Sequence, residues 1–258
     1  MKRFLKLVKL ELGSDLMRTV LISGATGGIG IAIAQKFLEN GYYAVLLYHA
    51  NMSRKEALEK DLSAYEGSFE MHQVDLLNVE SIQALMQAIE ASNINVDVLI
   101  NNAGLKHDAS IEDMDYSDFE KVMKVNLDGP WLLSKALISH LKHRAHPRII
   151  NISSGVAKEG RANGSNYAAS KAALENLTIS LAKELGQYHI TVNAVAPGLI
   201  DTPMTEDVDA AQKQAYIQRV PLNRLVKPID IAHACLFFAS VDSHNISSQI
   251  LGVNGGIR

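Results

Sequence analysis

Thr19-Val20-Leu21-Ile22-Ser23-Gly24-Ala25-Thr26-Gly27-Gly28-Ile29-Gly30-Ile31-Ala32-Ile33-Ala34-Gln35-Lys36-Phe37-Leu38 decides the fold. A short β-branched run gives way to a glycine turn, and the turn gives way at once to an apolar-periodic helix. Glycines permit the tight turn and a close backbone approach. The helix start presents free N–H groups and a partial positive charge at the same point.

That geometry suits the pyrophosphate of a dinucleotide, with Gly24, Thr26, Gly28, Ile29 and Gly30 as the expected contacts. The spacing of the glycines differs from the commoner G-x-G-x-x-G. Taken alone, the loop also reads as a structural turn with no ligand.

Outward from this unit, β-branched runs alternate with helical stretches. Strands are expected at Thr19–Ser23, Tyr43–Tyr48, Ser68–Val74, Val96–Asn101, Arg148–Ser153, Thr191–Ala196 and Ser248–Val253. Helices are expected near Gly28–Asn40, Ser53–Tyr65, Val79–Ser92, Ser117–His143, Asn166–Tyr188 and Ile229–Ala239. Such alternation predicts an α/β domain, a single doubly wound parallel sheet of seven strands with helices on both faces, spanning 17–258. No repeat or low-complexity tract divides it. Functional groups should gather at the carboxyl ends of the strands. The stretch Asp201–Val226 interrupts the alternation and carries Pro203 and Pro221, so a substrate flap is expected there, with a variable surface connection as the alternative.

A net charge of -3 supplies no broad basic field for nucleic acid. The single cysteine, Cys235, lies in an apolar run, which excludes an intrachain disulfide and fits a reducing, cytoplasmic setting. No apolar run approaches the roughly 20 residues needed to span a bilayer. Residues Met1–Leu16 mix lysine with leucine and read as a flexible extension, or as the product of an upstream start with Met17 as the working one; a secretory signal is not expected. His140, His143 and His146 lack a carboxylate-rich partner set, so no metal site is expected.

At the end of the second strand the sequence reads Leu47-Tyr48-His49-Ala50-Asn51-Met52-Ser53-Arg54-Lys55, with no carboxylate before Glu56. An acidic residue there binds the adenosine ribose hydroxyls in NAD enzymes and would repel a 2′-phosphate. Its absence, with His49, Arg54 and Lys55 close by, favours NADP(H) over NAD(H). Both basic side chains at the helix start also read as solvated surface.

Asn166-Tyr167-Ala168-Ala169-Ser170-Lys171 places Tyr167 and Lys171 on one helical face. A neighbouring ammonium favours the phenolate and should lower the tyrosine pKa toward neutral. Ile149-Ile150-Asn151-Ile152-Ser153-Ser154 ends a buried strand in hydroxyls, so Ser154 is placed to reach an oxygen near Tyr167. Each feature alone also has a plain structural reading, as a helix surface or a turn serine.

Together these residues resemble the short-chain dehydrogenase/reductase family from about Arg18 onward. The likeness rests on the glycine loop, Asn101-Asn102-Ala103-Gly104, Asn126 in Val125-Asn126-Leu127, Ser154, Tyr167 with Lys171, and Pro197-Gly198 in order and spacing. It implies a Rossmann-type fold and hydride transfer between a nicotinamide and a carbonyl carbon. Asn126, Ser154, Tyr167 and Lys171 would be catalytic. It further assigns to the cofactor Asp75, Asn102, Ala103, Gly104, Tyr167, Lys171, Pro197, Gly198, Ile200 and Thr202.

Within the family, Asn101–Asp108 and the ending Gly252-Val253-Asn254-Gly255-Gly256 are most similar to 3-oxoacyl-acyl-carrier-protein reductases. The resemblance implies a 3-oxoacyl thioester substrate, acyl carrier protein as a partner, a role in fatty acid biosynthesis and a homotetramer. The basic positions with which those reductases dock the carrier fall here at Ala145, beside Arg144, and at Tyr188. A free ketone, sugar or steroid-like alcohol therefore stays open as the small-molecule substrate, as does a non-catalytic NADP(H)-sensing regulator on the same fold.

Overall fold

The structure is a computed structural model that describes residues 17–206 and 208–257. The extension expected at residues 1–16 lies outside the described residues. Seven strands, β1 (Thr19–Ile22), β2 (Tyr43–Tyr48), β3 (Phe69–Gln73), β4 (Val96–Asn101), β5 (Arg148–Ile152), β6 (Thr191–Pro197) and β7 (Ile250–Val253), form one sheet in the order β3-β2-β1-β4-β5-β6-β7. Every adjacent pair is parallel. The helices are α1 (Gly28–Glu39), α2 (Met52–Asp61), α3 (Val79–Ala91), α4 (Tyr116–Met123), α5 (Gly129–Leu141), α6 (Val156–Glu159), α7 (Ser165–Leu185), α8 (Ala210–Arg219) and α9 (Pro228–Ala239).

β1, β2, β4, β5 and β6 are largely buried because both sheet faces are covered there, whereas the edge strands β3 and β7 are only partly buried. Alternation within each strand divides the core in two. Val20, Ile22, Val98, Ile100, Ile150 and Ile152 pack with Phe37 of α1 and Phe238 of α9. Leu21, Val45, Leu99 and Ile149 pack on the opposite side with Leu85 of α3, Leu137 of α5 and Leu185 of α7. After β3 the chain crosses back to place β4 beside β1. The strand order reverses at that junction, and a crevice opens beyond the carboxyl ends of β1 and β4.

Two expectations need correction. The helix expected over Ser117–His143 is broken by a π-helical segment, Lys124–Asp128, between α4 and α5. Such bulges re-aim side chains, and this one turns Asn126 fully inward. The stretch 201–226 is not irregular throughout: it holds a 3₁₀ turn, Pro203–Thr205, and the helix α8. A capping box starts α8, in which Gln212 N donates to Asp209 Oδ1 at 2.7 Å and Asp209 N donates to Gln212 Oε1 at 3.1 Å. None of its residues is buried, so it leaves no apolar stripe in the sequence to read.

Candidate active site

Ser23 follows β1 directly, and its hydroxyl accepts from the backbone N–H groups of Asn102 and Ala103, each at 3.1 Å. Asn102 in turn donates its amide to the carbonyls of Ser23 at 3.0 Å and Gly24 at 2.9 Å. The end of β4 thereby holds the glycine loop in shape. Gly24 takes the left-handed conformation with φ +63°. A Cβ on Gly30 would lie 2.3 Å from the Gly24 carbonyl oxygen, so this glycine lets α1 press against the loop.

Helix α1 begins after Gly27 with no side-chain cap and no acidic residue in its first turn. Its leading amide donors and partial positive charge are unanswered by the chain, which fits a pyrophosphate. The crevice above them has a volume of about 1950 Å³. Of the residues expected at a cofactor, Gly24, Thr26, Gly28, Ile29, His49, Arg54, Asp75, Asn102, Ala103, Gly104, Pro197, Gly198, Ile200 and Thr202 line it, together with Ser154, Tyr167 and Lys171. Gly30 does not; its part is packing. Lys55 does not either, being paired with Glu59 at 2.5 Å.

Asn126 lies beneath the crevice. Its Oδ1 accepts from Leu105 N at 2.8 Å, and its Nδ2 donates to the Leu105 carbonyl at 2.8 Å and to Ser170 Oγ at 2.9 Å. The amide thus ties the π-helical segment to the β4 loop and to α7. Lys171 is buried, with Nζ 5.7 Å from the centroid of the Tyr167 ring and donating to the Ile152 carbonyl at 2.8 Å. Burial pushes its pKa down to about 8.

The Tyr167 phenol is hydrogen-bonded to the Ser154 side chain. Its pKa is raised, contrary to the expectation that Lys171 would lower it. Burial is the largest influence; the Ser154 hydrogen bond and the Arg161 charge act downward and do not overcome it. A buried phenolate loses more hydration than these groups return. Tyr167 is therefore a phenol at neutral pH, the form that gives a proton rather than takes one.

The rim lies where Lys158–Gly164 and Asp201–Val226 were expected to shape the substrate pocket, and it carries pairings that the sequence did not show. Arg161 pairs with Asp108, Asn163 O accepts from Ala109 N at 3.0 Å, and Asn166 Nδ2 donates to the His107 carbonyl at 2.9 Å, zipping the β4–α4 loop to the β5–α7 connection. On the facing side Leu199 N donates to the Tyr216 phenol at 3.0 Å, fastening α8 over Gly198. No local motif announces either contact, because the partners come from separate segments.

A glycine loop on a helix start at the β1/β4 switch point, with a serine–tyrosine pair and a buried lysine in the same crevice, defines a nucleotide-dependent oxidoreductase. The family described as enoyl-(acyl carrier protein) reductase matches residues 24–258. The chain belongs to the short-chain dehydrogenase/reductase family and is an NAD(P)-dependent short-chain oxidoreductase. It is 33% identical over 240 residues to the 3-oxoacyl-[acyl-carrier-protein] reductase of Thermotoga maritima, covering 93% of this chain and 97% of that one. It is 38% identical to the enzyme of the same description from Rickettsia bellii, over 93% and 96% of the two chains. Among solved structures, a gluconate 5-dehydrogenase from Burkholderia cenocepacia, in complex with NADP and tartrate, superposes with a TM-score of 0.87. It shares 29% identity, over 93% of this chain and 94% of that one.

Proposed function

We propose that the protein reduces a carbonyl to a hydroxyl with NADPH, and that the carbonyl is the 3-oxo group of an acyl thioester. The observation that carries the reading is the hydrogen-bonded Ser154–Tyr167 pair beside buried Lys171 in the crevice of the glycine loop. When bound, the reduced nicotinamide supplies a hydride to the carbonyl carbon. Tyr167, a phenol at neutral pH, gives its proton to the carbonyl oxygen. Ser154 orients and polarises that oxygen. Lys171 holds the nicotinamide ribose, and Asn126 keeps the floor of the site in register through its three hydrogen bonds.

Gly24, Thr26, Gly28 and Ile29 cradle the pyrophosphate, and Asp75 reaches the adenine. Asn102, Ala103 and Gly104 floor the cofactor, while Pro197, Gly198, Ile200 and Thr202 approach the carboxamide. The preference for NADPH rests on His49 and Arg54, which line the crevice where no carboxylate answers them. Among the described residues no ion pair engages the Arg54 guanidinium.

The thioester substrate is supported by the names of the relatives. Delivery by acyl carrier protein is part of the same reading, although Arg144, beside the expected docking position, is bound to Asp97 at 2.8 Å. The gluconate dehydrogenase neighbour favours a second reading, in which a free hydroxy-ketone is the substrate. The segment 201–226 acts as the substrate flap. The protein works in the cytoplasm as a homotetramer; the exposed Trp131, Phe237 and Leu251 suit such an assembly.

NADPH oxidation should be followed with an acetoacetyl thioester, a free cyclic ketone and a sugar ketone, with NADH as control. Turnover of the thioester with NADPH well above the other three is the expected result. Preference for NADH or for the sugar ketone overturns the finer assignment.

A further inference from the structure

Arg161 lies in the connection between α6 and α7, where Gly160 and Asn163 both take left-handed backbone, with φ +70° and +57°. A Cβ on Gly164 would come within 3.1 Å of Arg161 Nε, so the bare glycine lets the arginine side chain lie across the start of α7. The Ala109–Asn163 and Asn166–His107 hydrogen bonds brace this connection against the β4–α4 loop. Arg161 lines the crevice, and its charge is felt at the Tyr167 phenol. The guanidinium therefore borders the reacting end of the site while its side chain stays 33% exposed.

Two positive groups meet there. Helix α7 starts without an acidic residue in its first turn, and a helix start carries a partial positive charge of its own. Asp108 answers the guanidinium through Nη2. It also takes Lys106 Nζ at 3.4 Å, so one carboxylate is divided between two cations. Nη1 and Nε of Arg161 have no hydrogen-bond partner among the described residues. A guanidinium carries five N–H donors in a fork that matches a carboxylate, and the Nη1 side of this fork is open. A plain alkyl chain suits the surroundings poorly. Glu159 and Arg219 line the same crevice, and methylenes packed against such groups strip their water without replacing its hydrogen bonds.

We propose that Arg161 is a specificity residue for an acyl chain that ends in a carboxylate, so that the substrate is the 3-oxoacyl thioester of a short dicarboxylic acid. The inference rests on the thioester reading above and narrows its acyl part. Asp108 holds one side of the guanidinium, and the substrate carboxylate takes the other. No bond is made or broken at this subsite. Its contribution is to hold the far end of the chain while the 3-oxo group lies against Ser154 and Tyr167.

Kinetics with thioesters of N-acetylcysteamine test the subsite, because that carrier has no charge of its own. The wild-type protein should reduce the 3-oxoadipyl thioester, with its free terminal carboxylate, at a kcat/KM about tenfold above that of the 3-oxohexanoyl thioester or the 3-oxoadipyl methyl ester. Arg161→Gln should bring the ratio between charged and neutral substrates to about one. Arg161→Lys, which keeps the charge and loses the fork, should retain about a third of the preference. Added salt should shrink the wild-type ratio and leave the Arg161→Gln ratio where it is. If Arg161 only braces the rim, the Gln variant slows both substrates by one factor and keeps their ratio, and that result overturns the subsite. Equal use of charged and neutral thioesters by the wild type also overturns it, with the thioester reading intact. A wild-type protein that reduces neither thioester overturns the thioester reading and the subsite with it.

Discussion

The ammonium of Lys171 sits 5.7 Å from the centre of the Tyr167 ring and gives a hydrogen bond to the Ile152 carbonyl. Both groups are shifted by burial, in opposite senses: the tyrosine is held as a phenol while the lysine approaches neutrality at about 8. In the direction of carbonyl reduction this suits a donor that starts protonated.

A pH dependence of stability follows from Lys171. The unfolded chain keeps its proton there up to about 10.5, while the native chain releases it near 8. Between those values the unfolded state binds more protons, so stability contributed by this group rises with pH, by up to about 3 kcal/mol in all. Urea midpoints at pH 7.5 and pH 10 should show Lys171→Met lacking that rise relative to wild type. Parallel shifts in the two proteins would contradict it.

The ammonium should also matter in catalysis. Reduction rates at low substrate should decline as pH rises through about 8, when the Lys171 charge is lost. A flat profile from pH 7 to pH 9.5 would separate the lysine charge from turnover.

Gly30 and Gly27 make a contrasting pair. Gly30→Ala drives a Cβ to 2.3 Å from the Gly24 carbonyl oxygen and 2.8 Å from Ala25 Cα, backbone atoms that do not yield. A loss of about 2–3 kcal/mol and weakened NADPH binding are expected. Gly27→Ala meets only the Gly24 carbonyl at 3.4 Å and should stay within about 0.5 kcal/mol. Thermal melts with fluorescence titration of NADPH compare them.

Arg54 tests the cofactor's extra phosphate. Arg54→Ala should raise the Kd for NADPH about tenfold, the equivalent of 1.4 kcal/mol, and leave NADH unchanged. Equal weakening of both cofactors would place the side chain elsewhere.

Tyr216 tests the flap. Its phenol accepts from Leu199 N at 3.0 Å and, with the Lys213–Asp201 ion pair at 2.7 Å, joins α8 to the loop after β6. Tyr216→Phe should raise KM several-fold with little change in Tm, since α8 buries none of its residues. A large fall in Tm with unaltered KM would make α8 a structural element instead.

The strands were legible because a parallel sheet covered on both faces demands unbroken apolar runs such as Val96–Asn101 and Arg148–Ile152, and their bounds fall within one or two residues of expectation. The crevice was legible for the same reason: Gly24 and Ser154 follow strand ends and Pro197 closes one. Helix α8 was not, because its stability comes from a capping box and surface contacts rather than an apolar stripe, although Asp209-Ala210-Ala211-Gln212 carries the box signature. The break at Lys124–Asp128 was hidden because a π bulge preserves helical composition. The sign of the Tyr167 shift was misjudged because spacing reveals a neighbouring charge and says nothing of burial. Arg161–Asp108 and Tyr216–Leu199 join segments far apart in the chain, which one sequence does not pair.

The proposed role of Tyr167 as proton donor is tested most directly by steady-state kinetics of Tyr167→Phe, with NADPH binding measured on the same preparation. A fall in kcat of about 10³-fold or more, with the Kd for NADPH within about threefold of wild type, is the predicted result. Turnover at the wild-type rate in that variant would contradict it.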